Sequence, residues 1–219
     1  MRSYIKALIF DLDGTLADTI PAIADAVNIV LEELGYPTHT QDEIRSYIGR
    51  GPHHLIRESL PQEVRVDEEI VNKAHKMYDS AYAKTYMNTV SLYDGMYEAI
   101  LMLSKYYKIA VLSNKQDEYV KNLVSQLLPE GICEIARGTV AGIPAKPDPT
   151  IALEIVEALG VSHYECMIIG DSDIDLLTAR NAEMDCLSVS WGYVSKAKLI
   201  MTGAEEIITT PSELIDYFK

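Results

Sequence analysis

The 219-residue sequence is poor in cysteine and in basic residues, and it contains no long apolar segment. Its three cysteines, Cys133, Cys166 and Cys186, form no Cys-x-x-Cys pair, which argues against a disulfide scaffold or a zinc site and favours a reducing cytoplasm. The 19 lysines and arginines face 33 aspartates and glutamates, and this net charge of −14 argues against a nucleic-acid partner. No apolar run approaches the ~20 residues of a membrane span, so we expect a cytoplasmic protein without membrane contact.

Short apolar segments recur along the chain, and small or polar residues follow each of them. These segments are Lys6–Phe10, Ile109–Leu112, Met167–Ile169 and Leu187–Val189. Brief runs that are apolar on both sides are typical of fully buried parallel strands. The helical patterns between them are Tyr97–Tyr106, Glu118–Leu128, Thr150–Leu159 and Ile174–Ala182. The alternation predicts an α/β fold with a Rossmann-like parallel sheet covered by helices.

The segment from Ile20 to about Met87 contains helical patterns and no comparable strand. The patterns are Pro21–Leu34, Gln41–Tyr47, Pro52–Leu60 and Asp67–Tyr86. At roughly 150 residues per domain, the chain length fits one domain with an insert. We therefore predict an α/β catalytic core in residues 1–17 and 91–219. Residues 18–90 are predicted to form a helical domain inserted after the first strand.

Polar residues follow these predicted strands at the carboxyl ends, where ligands of open parallel sheets bind. They are Asp11, Asp13, Gly14 and Thr15 after the first strand, Ser113 and Asn114 after the second, Lys146 in a later loop, and Asp171 and Asp175 after the third. Several carboxylates at one sheet edge repel one another unless a cation lies among them. Oxygen ligands favour Mg²⁺, and we predict a magnesium site here. The candidate ligands are Asp11, Asp13, Asp171 and Asp175.

Magnesium, an ammonium group and a hydroxyl together can hold a phosphoryl group. The spacing of Asp11 and Asp13 allows the two carboxylates to take different roles in phosphoryl transfer. Asp11, at the strand end, can attack phosphorus and form an aspartyl-phosphate. Asp13 can protonate the leaving oxygen and then accept a proton from the hydrolytic water. Asp171 and Asp175 share a helical face, so one can reach the metal while the other anchors Lys146 or a metal-bound water.

The remaining candidates contact the substrate or assist catalysis, and each also has a structural explanation when it is taken alone. The candidate substrate contacts in these loops are Gly14, Thr15, Ser113, Asn114 and Lys146, and Lys146 is also a candidate catalytic residue. An acidic pair after a strand is also typical of a turn or a helix cap, and a lysine between prolines is also typical of a surface loop. The joint occurrence of all the groups, in order, favours the functional interpretation.

Together these residues resemble the motifs of the haloacid dehalogenase superfamily of phosphohydrolases. The four motifs are Asp11–Thr19, Val111–Lys115, Lys146–Pro149 and Gly170–Asp175. The match spans nearly the whole chain, and the helical insert lies where that family places its smaller cap domain. The resemblance implies Asp11 as nucleophile and Asp13 as acid/base. It implies Mg²⁺ held by Asp11, the Asp13 carbonyl and Asp171, and phosphate contacts from Ser113 and Lys146 with Asp175 in support.

Finer features favour a small phosphate monoester as substrate. Trp191-Gly192-Tyr193 and Ile48-Gly49-Arg50-Gly51 are similar to segments of phosphoglycolate phosphatases. Sugar-phosphate mutases, pyrophosphatases and nucleotidases of the same superfamily remain alternatives, and a non-enzymatic phospho-acceptor switch is a more distant one. Asp13 separates the chain from the dehalogenases, which lack this second aspartate because halide needs no protonation. We expect a monomer or a homodimer.

One strip of the predicted helical domain carries positive charge. Residues 44–57 contain no acidic residue, although the whole chain is strongly acidic. Arg50 lies between two glycines in this strip, and His53 and His54 follow it. We predict that Arg50 contacts a second anionic group on the substrate. A solvated basic surface is the alternative explanation for the strip.

Overall fold

A computed structural model of the chain describes residues 4–219 and divides them into two compact units. One unit contains the residues up to Ala17 together with Leu92–Lys219, and the other contains Asp18–Ser91. The first unit includes every predicted catalytic and metal-binding residue. The second includes Arg50 and its neighbours.

A six-stranded parallel sheet forms the centre of the first unit. The strands of the chain are β1 (Ala7–Phe10), β2 (Ala17–Asp18), β3 (Ser91–Leu92), β4 (Lys108–Gln116), β5 (Cys133–Thr139), β6 (Cys166–Gly170), β7 (Asp185–Val189) and β8 (Ile207–Ile208). The large sheet has the order β5-β4-β1-β6-β7-β8, and all neighbouring strands in it are parallel. β2 and β3 pair as a separate two-stranded sheet. The predicted α/β fold class is confirmed.

Ten α-helices accompany these strands within residues 4–219. They are α1 (Ile20–Glu33), α2 (Gln41–Arg45), α3 (Pro52–Ser59), α4 (Glu68–Thr89), α5 (Met96–Leu103), α6 (Asp117–Leu127), α7 (Thr150–Leu159), α8 (Asp173–Asn181), α9 (Lys196–Met201) and α10 (Glu213–Tyr217). Helices α1–α4 belong to the second unit, where α1 packs against α4. None of these ten helices combines the length and apolar character that a membrane crossing requires.

The register of the central strand brings the polar loops to one edge of the sheet. All four residues of β1 are fully buried, as a strand with neighbours on both sides requires. Phe10 pairs with Val111 on one side and with Ile169 on the other. The residues that follow these three positions therefore lie at the same edge of the sheet.

One face of the sheet packs against helices α7 and α8. Ile9 and Ile168 share a buried cluster with Ile155 of α7 and Ala179 of α8. Burial of an isoleucine side chain contributes about 1.5–3 kcal/mol to stability. This cluster anchors the strands whose carboxyl ends carry the polar residues.

Two strands of the sheet, β5 and β8, lie outside the set that the sequence predicts. Both are edge strands. Glu134 and Arg137 interrupt the apolar pattern of β5, whose side chains are mostly half-buried. β8 has only two residues. Edge strands need no continuous apolar run, because their side chains are only partly covered.

Candidate active site

Lys146 lies at the centre of the polar cluster beyond β1. Its Nζ is 2.9 Å from Asp11 Oδ1 and 2.6 Å from Asp175 Oδ1, and it also donates to the carbonyl of Leu112 at 3.1 Å. Its side chain is only 4% exposed. Burial acts to lower the pKa of Lys146, but the two carboxylates outweigh burial and raise it, so the ammonium form is retained.

Asp11 is a buried carboxyl group whose pKa is raised by its surroundings. Burial raises its pKa well above the usual range, and the nearby carboxylates of Asp175, Asp171 and Asp13 add to the rise. Lys146 opposes the shift. A cation near Asp11 would therefore favour the ionised form that a nucleophile needs.

Asp171 is held by two neutral donors from different loops. The Thr15 hydroxyl donates to its Oδ1 at 3.2 Å, and the main-chain N–H of Tyr193 donates to its Oδ2 at 2.6 Å. Burial and the charge of Asp175 nevertheless raise the pKa of Asp171 to about 7. Without a cation, this carboxyl group is therefore half protonated near neutral pH.

Asp13 has a different partner from Asp11. Lys115 Nζ donates to both of its carboxylate oxygens, at 2.8 and 3.0 Å, and the two side chains are 8% and 12% exposed. The Ser113 hydroxyl lies 3.4 Å from Asp13 Oδ2. The two aspartates that follow β1 are thus each paired with a lysine of their own.

The cluster as a whole fits a divalent cation. Oxygen atoms of Asp11, Asp171 and Asp175 lie within 4.8 Å of one another. The four carboxylates of the cluster face two ammonium groups, so two negative charges remain when all of them are ionised. Hard cations such as Mg²⁺ prefer such oxygen ligands. The donor chemistry and the charge both fit this group.

Asp175 differs from Asp171 in that an ammonium group, that of Lys146, is among its partners. Oδ1 accepts from Lys146, and Oδ2 accepts from the hydroxyl of Ser172 at 2.5 Å and from its main-chain N–H at 3.1 Å. Ser172 and Asp175 together form the capping box at the start of α8. Of the two alternatives that the sequence leaves open for Asp175, this geometry favours the anchoring of Lys146.

The remaining predicted substrate contacts occupy distinct positions. Gly14 has φ +86°, and a Cβ there would lie 2.6 Å from Asp171 Oδ2, so the loop needs glycine on both counts. Asn114 donates from Nδ2 to the carbonyl of Lys146 at 3.0 Å and so contacts the loop that carries the lysine. Arg50 belongs to the helical unit, where it lies exposed in a bend before α3.

Lys115 and Trp191 contact the cluster although the sequence suggests no role for either. Lys115 directly follows Ser113-Asn114, and Trp191 follows β7. Trp191 Nε1 donates to the carbonyl of Thr15 at 3.0 Å. Their positions after two predicted strands, at the edge where the other loops meet, are the signal that could have identified them.

Comparisons with known sequences agree with this geometry. The sequence model of the family described as haloacid dehalogenase-like hydrolases matches residues 8–189. A phosphoglycolate phosphatase of Psychrobacter arcticus is 31% identical over 218 residues, which cover 97% of this chain and 95% of the relative.

Solved structures share the same fold. A candidate phosphoglycolate phosphatase from Lactobacillus delbrueckii subsp. bulgaricus superposes with a TM-score of 0.89 at 33% identity, over 97% of each chain. A candidate β-phosphoglucomutase from Thermotoga maritima gives a TM-score of 0.73 at 21% identity, over 98% of each chain. At that identity the second likeness shows the fold alone.

Proposed function

The chain belongs to the haloacid dehalogenase-like hydrolase family and is a phosphatase, and from this premise we propose that it hydrolyses small phosphate monoesters, phosphoglycolate among them, with Mg²⁺ as cofactor. One observation carries the proposal. Asp11 and Asp13 lie two residues apart, and each is paired with a different buried lysine. The two carboxylates therefore have separate environments, as two separate chemical roles require.

Asp11 is the nucleophile in the proposed reaction. One of its carboxylate oxygens forms a bond to phosphorus while the ester P–O bond breaks, which leaves an aspartyl-phosphate. Lys146 supports this step because its ammonium group favours ionised Asp11 and adds positive charge beside the transferred phosphoryl group. Asp175 holds Lys146 in place from the other side.

Asp13 is the proposed acid and base. In its protonated form it gives a proton to the leaving oxygen as the ester bond breaks, and the resulting carboxylate then accepts a proton from the water that attacks the aspartyl-phosphate, which restores the protonated form. Cleavage of that P–O bond releases inorganic phosphate and restores the Asp11 carboxylate. Lys115 holds the Asp13 carboxylate by both oxygens, and Ser113 is placed beside it to contact the phosphoryl group.

Asp11, Asp171 and the main-chain carbonyl of Asp13 would hold Mg²⁺, in agreement with the family resemblance. When bound, Mg²⁺ supplies charge neutralisation for the carboxylates and the phosphoryl oxygens. The proposal of phosphoglycolate as one substrate rests on the relatives' name and on Arg50, whose exposed charge suits a second anionic group. Residues 18–90 would then contribute to substrate selection.

Phosphate release from a panel of esters tests the proposal. Purified protein would be assayed with and without Mg²⁺, beside Asp11→Asn and, as a matched control, Asp216→Asn. Asp216 lies near the chain end, where it pairs with Lys219 at the surface. We expect magnesium-dependent release by the wild type and by the control. Asp11→Asn should reduce turnover by about 10⁴-fold or more, because removal of a nucleophile leaves little of the catalytic effect.

Acid-quenched samples from the same reactions would show a protein-bound phosphoryl group that Asp11→Asn lacks. The phosphatase proposal fails if the wild type releases no phosphate from any ester. Equal release by Asp11→Asn would exclude this residue as nucleophile. Transfer of the phosphoryl group to a second sugar-phosphate position, with little inorganic phosphate, would instead favour a mutase.

A further inference from the structure

The segment that follows β7 forms a strap over the metal-binding loops; we define the strap as Ser190–Tyr193. The Trp191 indole N–H donates to the carbonyl of Thr15 at 3.0 Å. Two residues later, the main-chain N–H of Tyr193 donates to Asp171 Oδ2 at 2.6 Å. The strap therefore contacts the loop after β1 and the loop after β6 at once.

The start of the strap is fixed to the edge of the sheet. The main-chain N–H and the hydroxyl of Ser190 both donate to the carbonyl of Ile208 in β8, at 3.0 and 3.3 Å. Because β8 pairs with β7, this attachment continues the parallel sheet beyond the last residue of β7. The residue before Trp191 is therefore fixed to the sheet, and the sheet sets the position of the indole.

The middle of the strap packs too closely for any residue but glycine. A Cβ on Gly192 would lie 2.2 Å from the Gly14 carbonyl oxygen and 2.4 Å from the Cβ of Asp171. Real Cβ atoms do not approach backbone oxygens this closely. Main chain therefore packs directly against both loops between the two hydrogen bonds.

Thr15 closes the connection between the strap and the metal site. It is fully buried, and its hydroxyl donates to Asp171 Oδ1 at 3.2 Å. Trp191 thus fixes Thr15, Thr15 fixes one oxygen of Asp171, and Tyr193 fixes the other. Neutral donors that hold a carboxylate in one orientation contribute strongly to metal affinity.

We propose that Trp191 is a positioning residue for the metal site: its indole N–H holds the loop after β1 so that Asp171 presents its oxygens to a divalent cation. The inference rests on the proposed function only in taking Asp11 and Asp171 as the metal ligands. Trp191 contacts neither the cation nor the substrate in this role. Its effect is on the affinity for the cation.

Direct metal binding tests this role without reference to turnover. Mn²⁺ binding would be measured by electron paramagnetic resonance on the wild type, Trp191→Phe and Tyr107→Phe. Tyr107 is the matched control, since its hydroxyl donates to the carbonyl of Phe218 at 3.3 Å within the same unit. We expect Trp191→Phe to weaken Mn²⁺ binding about tenfold and Tyr107→Phe to leave it unchanged.

Trp191 is also the only tryptophan of the chain, so it reports on its own environment. Selectively excited tryptophan emission of the wild type should change as Mg²⁺ is added and saturate at the same concentration as the binding curve. Asp171→Asn should lose this response, because that substitution removes the metal ligand beside the strap. Emission that does not change with Mg²⁺ would contradict a connection between Trp191 and the metal site.

Unfolding temperatures of the metal-free proteins separate positioning from general destabilisation. If Trp191→Phe fails to fold, incorporation of 3-benzothienylalanine keeps the ring shape and removes only the N–H, and the same tenfold loss is expected. Unchanged Mn²⁺ affinity in the folded variant overturns the inference and leaves the proposed function intact. A wild type that binds no divalent cation overturns both.

Discussion

The buried charge cluster of the α/β unit differs from the more exposed ion pairs of the helical unit. In the α/β unit, Lys115 and Lys146 are at most 8% exposed, and each contacts one or two carboxylates within 3.0 Å. In the helical unit, Arg57 and Arg65 pair with Glu68 and Glu58, and their side chains are about one third exposed. Water screens the second kind of pair and leaves it little net energy.

The difference agrees with the proposed division between chemistry in the α/β unit and substrate selection by Arg50. A buried charge is costly unless its partners are held in place, so the α/β cluster persists only as a complete set. Exposed charges such as Arg50 can be exchanged at little cost in stability. The α/β unit therefore carries the proposed reaction, and exposed charges of the helical unit can be substituted to test the proposed role of Arg50 without loss of the fold.

Replacement of Lys146, the lysine at the centre of the cluster, should have the largest effect on the free energy of unfolding. Lys146→Met leaves Asp11 and Asp175 buried without their counter-ion, and we expect a loss of about 3–5 kcal/mol in the free energy of unfolding. Arg57→Met in the helical unit should cost about 0–1 kcal/mol. Urea unfolding of both variants in metal-free buffer near pH 8 measures the difference. Similar losses would show that the two units do not differ in this respect.

Replacement of Lys115, the second buried lysine, should slow one step of the proposed reaction, the protonation of the leaving oxygen. Lys115→Met removes the group that holds the Asp13 side chain in place, so proton transfer to the leaving oxygen of an alkyl phosphate is misaligned and kcat should fall by about 10². An aryl phosphate with a good leaving group should lose clearly less, and Lys115→Arg should restore part of the activity. Lys121→Met, which removes a surface ammonium of α6, is the control. Equal losses on both esters would contradict a role for Lys115 through Asp13.

The sheet and the carboxylate cluster could be predicted because the central strands are buried on both faces. The apolar run of β1 ends at Phe10, and Asp11 follows it at once. Such a change from apolar to polar is visible in a sequence without any knowledge of tertiary contacts. The same reasoning identified Ser113, Lys146 and Asp171 as members of one edge.

Contacts that depend on tertiary packing could not be predicted in this way. β4 extends to Gln116 through polar residues, and β5 approaches so closely that a Cβ on Gly138 would lie 2.4 Å from the Lys115 carbonyl oxygen. The position of this lysine after a predicted strand suggests proximity to the site, but nothing in the local pattern indicates its contact with Asp13. The hydrogen bond from Trp191 to Thr15 spans 176 positions and has no local signal at all.

The pH dependence of metal binding sharpens the comparison, because one proposed metal ligand of the α/β unit, Asp171, titrates near neutrality. Burial and the charge of Asp175 raise the pKa of Asp171 to about 7, whereas the unfolded carboxyl titrates near about 3.9. The metal-free folded state binds more protons between these values, so this group lowers stability as the pH rises from 4 to 7.

Mg²⁺ binds the ionised carboxylate and therefore competes with that proton. We expect the apparent affinity for Mg²⁺ to rise about tenfold between pH 6 and pH 8, and the Mg²⁺-induced increase in Tm to grow in parallel. Calorimetry at each pH, with and without Mg²⁺, measures this. Burial lowers the pKa of His54 and His75 in the helical unit, but their effect is common to both conditions and cancels. A shift in Tm that does not depend on pH would contradict the assignment of Asp171 as a ligand.

The smallest effect is expected for a substitution in the helical unit. This substitution tests whether that unit contributes to the choice of substrate. Arg50→Ala should lower kcat/KM about fivefold for an ester with a second anionic group, because an exposed charge contributes about 1 kcal/mol. An ester of similar size without that group should be hydrolysed as before. Arg45→Ala is the matched control, since Arg45 is an exposed arginine of the same unit that pairs with Asp42. If Arg50→Ala lowers turnover of both esters equally, the helical unit contributes to catalysis in general, and the separation of chemistry from selection is wrong.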